Sequence, residues 1–241
     1  MQKLNQIYEG KAKILYATDD QNLLIQYFKD DATAFNNLKK DRIERKGILN
    51  NYISEYLMLE LAKANIPTHF IERLDERNQL VKKVTIIPLE VIVRNITAGS
   101  LSKKLNIAEG LVLDKPLFEL YFKNDALGDP LLTEDHAITL LKIVSEKQLA
   151  EIRNYALSIN KILQEIFRKI NIKLVDFKIE FGVDSSGAVL LADEISPDSC
   201  RLWDTNTAEK LDKDRFRRDL GGLVEAYTEV ATRLKINLPT N

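Results

Sequence analysis

Hydrophobic and polar residues alternate from Leu174 to Gly182, where Val175, Phe177, Ile179 and Phe181 are interleaved with Asp176, Lys178 and Glu180. A period of two is that of a β-strand with one buried face, and the other face here carries an acid, a base and an acid. A solvated face whose charges pair along the strand explains that run without any function. Near the start, "IYEGKAKILYAT" predicts two short strands around Gly10, and "NLLIQYFKD" predicts another that ends at the acidic turn residues Asp30 and Asp31. The spacing then changes. Ile48, Tyr52, Ile53, Tyr56, Leu57 and Leu61 recur at helical intervals, and Ile66-Pro67 marks the stop. "THFIERL" and "QLVKKVTIIPLEVIVRN" return to strands on either side of a polar turn at Asp75–Asn78.

The second part of the chain is more helical. Ser145 and Gln148 have the spacing of a capping box, and Leu149, Ile152, Tyr155, Ile159, Ile162, Ile166 and Ile170 form one apolar stripe behind it. A last helix is expected across "DRFRRDLGGLVEAYTEVATRLK", with Gly221-Gly222 marking close packing or a kink. The segment around Pro88 is the expected domain junction. The fold class is therefore α+β in two lobes: a small antiparallel β-rich lobe over 1–87 and a larger mixed α/β lobe over 88–241. An interface between such lobes is a common place for a ligand cleft.

Composition narrows the function classes. With 35 basic and 36 acidic residues in 241, the net charge of −1 gives no footprint for nucleic acid or an anionic membrane. A single cysteine, Cys200, excludes an intrachain disulfide and fits a reducing cytoplasm. The N-terminal "MQKLNQIYEGK" lacks an apolar h-region, and no apolar run reaches the roughly 20 residues of a membrane span. Two isolated histidines, His69 and His136, do not make a structural zinc site.

Four stretches carry candidate chemistry. Asp184-Ser185-Ser186-Gly187 is a turn signal after the opening strand. A hairpin with an even-numbered loop would set Lys178 opposite Asp193, with Glu180 and Asp193 diagonal neighbours roughly 7–8 Å apart. Two such carboxylates suit Mg²⁺, although a Lys–Asp cross-strand pair would also explain Lys178 and Asp193. In "YEGKAKILY", Gly10 lets backbone approach a phosphate while Lys11 and Lys13 add charge; an edge strand guarded by lysines is the alternative. In "VRNITAGSLSKKL", Arg94 and a helix start near Ser100 form an anion site, unless Ser100 is simply an N-cap. In "EISPDSCRLWDTNT", Arg201 occupies a loop of turn residues, and Cys200, with no histidine nearby in sequence, reads as a packed thiol.

Together "YEGKAKILY", "VRNITAGSLSKKL", "KNDALGDPLLTEDHA", "LVDFKIEFG" and "DEISPDSCRLWD" resemble the SAICAR synthetase family, from about residue 6 to about residue 235. The resemblance implies ATP-dependent joining of L-aspartate to 5-aminoimidazole-4-carboxylate ribonucleotide (CAIR), giving SAICAR, ADP and phosphate through an acyl phosphate. It also implies a fold distantly like protein kinases, with ATP between the lobes, and a homodimer or higher homo-oligomer. By the same resemblance Gly10, Lys11, Ala12 and Lys13 cover the ATP phosphates, Lys123 is directed at the nucleotide, and the backbone near Ile86 meets adenine. Glu180 and Asp193 would hold Mg²⁺, and Lys178 and Asp176 would face the reacting groups. Glu90, Arg94, Ser100 and Arg201 would bind substrate, with Arg215 a further contact to the same anion. The loop carrying Asp129 and His136 has no assigned role. One departure from the family pattern is Asn36-Asn37, where a glycine is expected; asparagine tolerates positive φ. Two rivals remain open, a small-molecule kinase and a nucleotide-binding protein without catalysis. Release of phosphate separates the ligase from the first, and Lys178, Glu180 and Asp193 together argue against the second.

Overall fold

The computed structural model describes residues 1–34 and 38–239; the expected turn at Asn36-Asn37 lies outside them. The alternating runs of the first third form an antiparallel sheet. Strands β1 (Lys3–Glu9), β2 (Lys13–Thr18) and β3 (Leu23–Phe28) pair in succession, and β7 (Asn78–Lys82) and β6 (Phe70–Arg73) complete the order β1-β2-β3-β7-β6. A separate hairpin, β4 (Asp31–Ala34) with β5 (Lys39–Arg42), leads into helix α1 (Lys46–Lys63). The stripe expected on α1 is deeply buried, with Ile53, Leu57 and Leu61 at 0% exposure. It packs on α5 (Leu223–Arg233) and on α3 (Glu146–Lys169). Sheet and core thus divide differently: β1, β2, β3, β6 and β7 keep their own sheet, whereas α1 shares one apolar cluster with α3 and α5.

The second sheet is built around β12 (Ile172–Val183), the strand predicted from its alternation. Its first half runs between β9 (Leu89–Ile96) and β14 (Cys200–Asp204), and its second half between β8 (Thr85–Ile86) and β13 (Val189–Ala192). β10 (Val112–Phe122) and β11 (Leu131–Leu132) extend it beyond β9. Phe177, Ile179 and Phe181 are each 1% exposed and belong to the cluster shared with α3. The opposite face carries Asp176, Lys178 and Glu180 at alternate positions, as period two demands.

Two expectations need correction. The β12–β13 register pairs Glu180 with Ala192 and Val183 with Val189, so Lys178 does not stand opposite Asp193. The loop is odd-numbered because the Asp184 carboxylate accepts from Ser186 N at 2.8 Å and Ala188 N at 3.1 Å, while Asp184 N donates to Ala188 O at 3.0 Å. The single last helix is instead two, α4 (Asp214–Arg217) and α5, because Gly221 and Gly222 adopt φ of 67° and 62° between them. The capping box at Ser145 and Gln148 is present in full. Helix α2 (Gly99–Leu105) has Ala98 as its N-cap, which places Ser100 inside the first turn.

Candidate active site

A cavity of about 660 Å³ is bounded by both sheets. Gly10, Lys11, Ala12 and Lys13 line it from the β1–β2 turn and the start of β2, and Glu90, Lys123, Lys178, Glu180, Asp193 and Glu194 line it from the larger sheet. The turn is held by Gly10 N donating to Lys13 O at 2.8 Å and Lys29 N donating to Ala12 O at 2.8 Å. A smaller apolar slot of about 100 Å³ adjoins the cavity, walled by Leu15, Leu24, Val81, Val84 and Ile86, with Lys123 and Glu180 at its border.

Charge pairing orders the cavity wall. Lys178 Nζ donates to Glu90 at 2.7 Å and to Glu180 at 3.4 Å. Burial opposes its charged form, but Glu180 and Glu90 outweigh burial and raise its pKa, so Lys178 stays an ammonium at neutral pH. Burial likewise works against the Glu180 carboxylate, yet Lys178 and Lys123 hold its pKa down to about 2. Lys123 pairs with Glu180, and Lys11 pairs with Asp125 at 2.6 Å.

Glu180 and Asp193 do reach one cavity, by a route that the expected hairpin register did not describe. Asp193 adopts φ 63°, which breaks strand alternation after β13 and lets both Asp193 and Glu194 line the same wall. Lys13 pairs with both of them, at 3.3 Å in the case of Glu194. His69 secures the bend: its Nε2 donates to Asp193 O at 2.9 Å, which requires the Nε2–H tautomer. Burial, and then the Lys13 charge, lower the His69 pKa to about 3, so this donor stays neutral.

Among the described residues no group of three His, Cys, Asp or Glu side chains forms a metal cluster. Mg²⁺ does not require one, since it typically takes one or two protein carboxylates and completes its shell with phosphate and water. The donors present fit: Glu180, Asp193 and Glu194 offer carboxylate oxygens to one cavity, and Glu194 Oε2 is buried without a hydrogen-bond partner.

The arginine group gathers at Asp176, which precedes Lys178 along β12, and none of Asp176, Arg94, Ser100 and Arg201 lines this cavity. Asp176 is opposite Arg94 on β9 and Arg201 on β14 in the sheet register. Its carboxylate accepts from Arg94 Nη1 at 2.8 Å and from Arg201 Nη1 at 2.9 Å, so it is occupied by both guanidiniums. Arg94 also donates to Glu119 at 2.8 Å and reaches Ser100 Oγ at 3.5 Å. Arg94, Ser100 and Arg201 are therefore brought together, as the family resemblance implies, with Asp176 between the arginines. Arg215 is not brought to them: its guanidinium donates to Glu209 at 2.7 Å and to the carbonyl of Gly221 at 2.5 Å. Asp129 and His136 are tied to their own loop, through Asn124 N and Thr133.

Gly99 is required where it stands. Its φ is +59°, and a Cβ there would lie 2.3 Å from Arg201 Nη2. Gly99→Ala is expected to destabilise the protein by about 1–2 kcal/mol from the left-handed backbone alone. A thermal melt would show a midpoint roughly 2–8 °C lower, and an unchanged midpoint would mean that neither the left-handed backbone nor the Arg201 contact constrains position 99.

The site also contains residues that the sequence reading did not select. Glu194 follows Asp193 directly, and neighbouring residues on a regular strand face opposite ways, so only the Asp193 bend reveals it. His69 was noted only as an isolated histidine. Asp198 and Lys213 also line the cavity; Asp198 lies in the segment quoted for Arg201, and Lys213 stands one residue before the stretch expected as the last helix.

A family model described as SAICAR synthetase matches residues 6–234. The chain belongs to the SAICAR synthetase family. Phosphoribosylaminoimidazole-succinocarboxamide synthase of Sinorhizobium medicae (strain WSM419) is 58% identical over 239 residues, covering 98% of this chain and 94% of the relative. The enzyme of the same name from Bacillus subtilis (strain 168) is 57% identical over 228 residues, covering 95% of this chain and 94% of the relative. The crystal structure of this synthase from Ehrlichia chaffeensis superposes with a TM-score of 0.95 at 51% identity, covering 98% of this chain and 100% of that one. A SAICAR synthetase in complex with ADP gives a TM-score of 0.93 at 47% identity, covering 97% and 99%. As a SAICAR synthetase the chain is an ATP-dependent ligase of purine biosynthesis, and its mixed α/β fold is the one these structures share.

Proposed function

We propose that the chain joins L-aspartate to the carboxylate of CAIR, consuming ATP and releasing SAICAR, ADP and phosphate. The observation that carries this reading is the polar face of β12, where Asp176 with its two arginines, Lys178 and Glu180 follow one another. Alternate positions on a strand are roughly 7 Å apart. A phosphate anchor, a fixed ammonium and a metal carboxylate therefore stand in a row.

Arg94, Arg201 and Ser100 bind the CAIR phosphate in this proposal, and Asp176 orients the two guanidiniums toward it. Arg215, held by Glu209 and the carbonyl of Gly221, stays outside the group formed by Arg94, Ser100, Asp176 and Arg201 and is the weaker candidate for the same anion. That a relative binds ADP supports a nucleotide site, and the apolar slot beside Leu15, Leu24, Val81 and Ile86 suits adenine, with ATP phosphates along Gly10–Lys13 and near Lys123. Glu180 and Asp193, with Glu194, would hold Mg²⁺, which when bound supplies positive charge to the phosphate oxygens.

Phosphoryl transfer is catalysed mainly by positioning and charge neutralisation. A CAIR carboxylate oxygen attacks the γ-phosphorus while the bond to the ADP oxygen breaks, which gives an acyl phosphate. The aspartate amine then attacks the acyl carbon, phosphate leaves with its electron pair, and the amine loses a proton as the amide forms. Lys178 remains protonated throughout because Glu180 and Glu90 favour its charge. It stabilises the transferred phosphoryl group and does not act as a base.

The same reading places the protein in the cytoplasm as a homodimer or larger homo-oligomer. Exposed apolar residues on α2 and the following segment, Leu105, Ile107, Leu111 and Val112, support a buried self-contact. No helix among the described residues is long and apolar enough to cross a membrane.

The deciding experiment measures ADP and phosphate release with Mg-ATP while CAIR and L-aspartate are added separately and together. Full turnover is expected only with both, with ADP, phosphate and amide in equal amounts. Phosphate retained on an organic product would identify a kinase, and no ATP consumption under any combination would end the ligase reading.

A further inference from the structure

One corner of the main cavity is unused by the steps above. Asp198, between β13 and β14, accepts from Lys46 Nζ at 2.7 Å through one oxygen and from the Tyr227 hydroxyl at 2.6 Å through the other. Asp198 and Lys46 are both deeply buried, at 4% and 1% side-chain exposure, and these contacts complete a structural ion pair. Lys213 Nζ stands 3.4 Å from Asp198, at the outer edge of hydrogen bonding, and this is its single side-chain hydrogen bond among the described residues. An ammonium offers three N–H donors, so Lys213 has capacity to spare, and it lines the cavity. Burial, together with Lys46 and Arg217, lowers the Lys213 pKa, while Asp198 pulls the other way. Its charged form is thus short of anionic partners.

The corner adjoins the reacting groups. Lys178 N donates to Ser199 O at 2.9 Å, and Lys213 N donates to Pro197 O at 3.1 Å. The loop 197–199 therefore links the backbone of Lys178 to that of Lys213.

We propose that Lys213 binds a carboxylate of the dicarboxylic amino-acid substrate in this corner. The inference rests on the ligase reading, which brings three anionic reactants into one site. The nucleotide phosphates go to the Gly10–Lys13 turn and the ribonucleotide phosphate to Arg94 and Arg201. The dicarboxylate then needs a further cation, and the lysines of the cavity without a role so far are Lys29, already paired with Glu9 and Asp31, exposed Lys40, and Lys213. A compact ammonium suits a single carboxylate, whereas two planar guanidiniums suit a phosphate. Holding the substrate by a carboxylate leaves its amine free to face the acyl carbon beside Lys178.

The test compares wild type, Lys213→Met and Lys213→Arg as full chains. It reads KM for L-aspartate, the inhibition constant of succinate (a dicarboxylate without an amine) and the ADP dissociation constant by calorimetry. Lys213→Met is expected to raise the aspartate KM and the succinate constant together by roughly 10- to 100-fold, with ADP affinity within about twofold of wild type. Lys213→Arg is expected to recover most of the loss. An unchanged aspartate KM with reduced kcat, or ADP affinity weakening in step with succinate, would overturn the assignment. Should Lys213→Met fail to fold, Lys213→Gln, which keeps a donor toward Asp198, is read by the same constants. Wild type that consumes no ATP with both substrates present refutes the ligase reading itself. Wild type that turns over, beside a variant with unaltered aspartate KM, refutes only the role of Lys213.

Discussion

Asp193→Asn is expected to lower kcat by on the order of 10²–10³, the range seen when one charge-stabilising contact to a transition state is lost. The substitution preserves size and shape but removes the charge that Asp193 offers to the cavity. The backbone bond from His69 to Asp193 O does not involve that side chain, so the bend that aims residues 193 and 194 should persist. CAIR binding should remain measurable, because Arg94, Ser100 and Arg201 make no contact with Asp193. If Asp193 holds the metal, the variant should also need a higher Mg²⁺ concentration for half-maximal rate. A variant that keeps turnover within about threefold and the wild-type Mg²⁺ dependence would remove Asp193 from the metal site.

Asp176→Ala carries the second large effect, and it falls first on stability. Arg94 is 1% exposed, and Asp176 is the carboxylate it shares with Arg201. Removing one partner of a buried ion pair leaves uncompensated charge and typically costs about 3–5 kcal/mol. For a chain of this size that lowers the melting midpoint by roughly 10 °C. Glu119 and Asp214 still accept from Arg94 and Arg201, so both cations keep one anchor each and the fold should survive at lower temperature. What is lost is their common orientation, and KM for CAIR should rise more than KM for ATP. Asp176→Asn keeps an acceptor oxygen and should recover part of the stability. A melt within about 1 °C of wild type for Asp176→Ala would show that the arginines find other partners and that Asp176 does not position them.

The legible part of this molecule was the part governed by short periods. Strand β12, helix α1 and the capping box of α3 follow from spacing alone, because each side chain's place is set by neighbours within a few residues. The β12–β13 register was missed by one residue because it depends on how many backbone donors the Asp184 carboxylate gathers, which the turn residues do not announce. The last helix was drawn too long, since two glycines can sit within a helix or end it, and only their positive φ decides. In the site, Glu180 and Asp193 share a cavity through the bend at Asp193 and not through the even-numbered hairpin that the turn residues suggest. Glu194 was overlooked because strand alternation would have pointed it away. Arg215 was selected for its charge, and the contacts that commit it arise from residues 209 and 221, which only the folded chain brings beside it.

The pairing of β12 with β9 is unbroken from Asp176 to Ile179, and Glu180 continues directly into the pairing with β13. Four residues of extended chain measure about 13 Å. If the proposed roles hold, β12 is a ruler that would carry a phosphate clamp at Asp176 and a metal carboxylate at Glu180, and neither mark can slide without breaking the sheet. Such a ruler would select by length before functional group: a nucleoside without its phosphate would touch only one mark, and a carboxylate on a longer spacer would overshoot the second, however well either matches the chemistry of the individual residues.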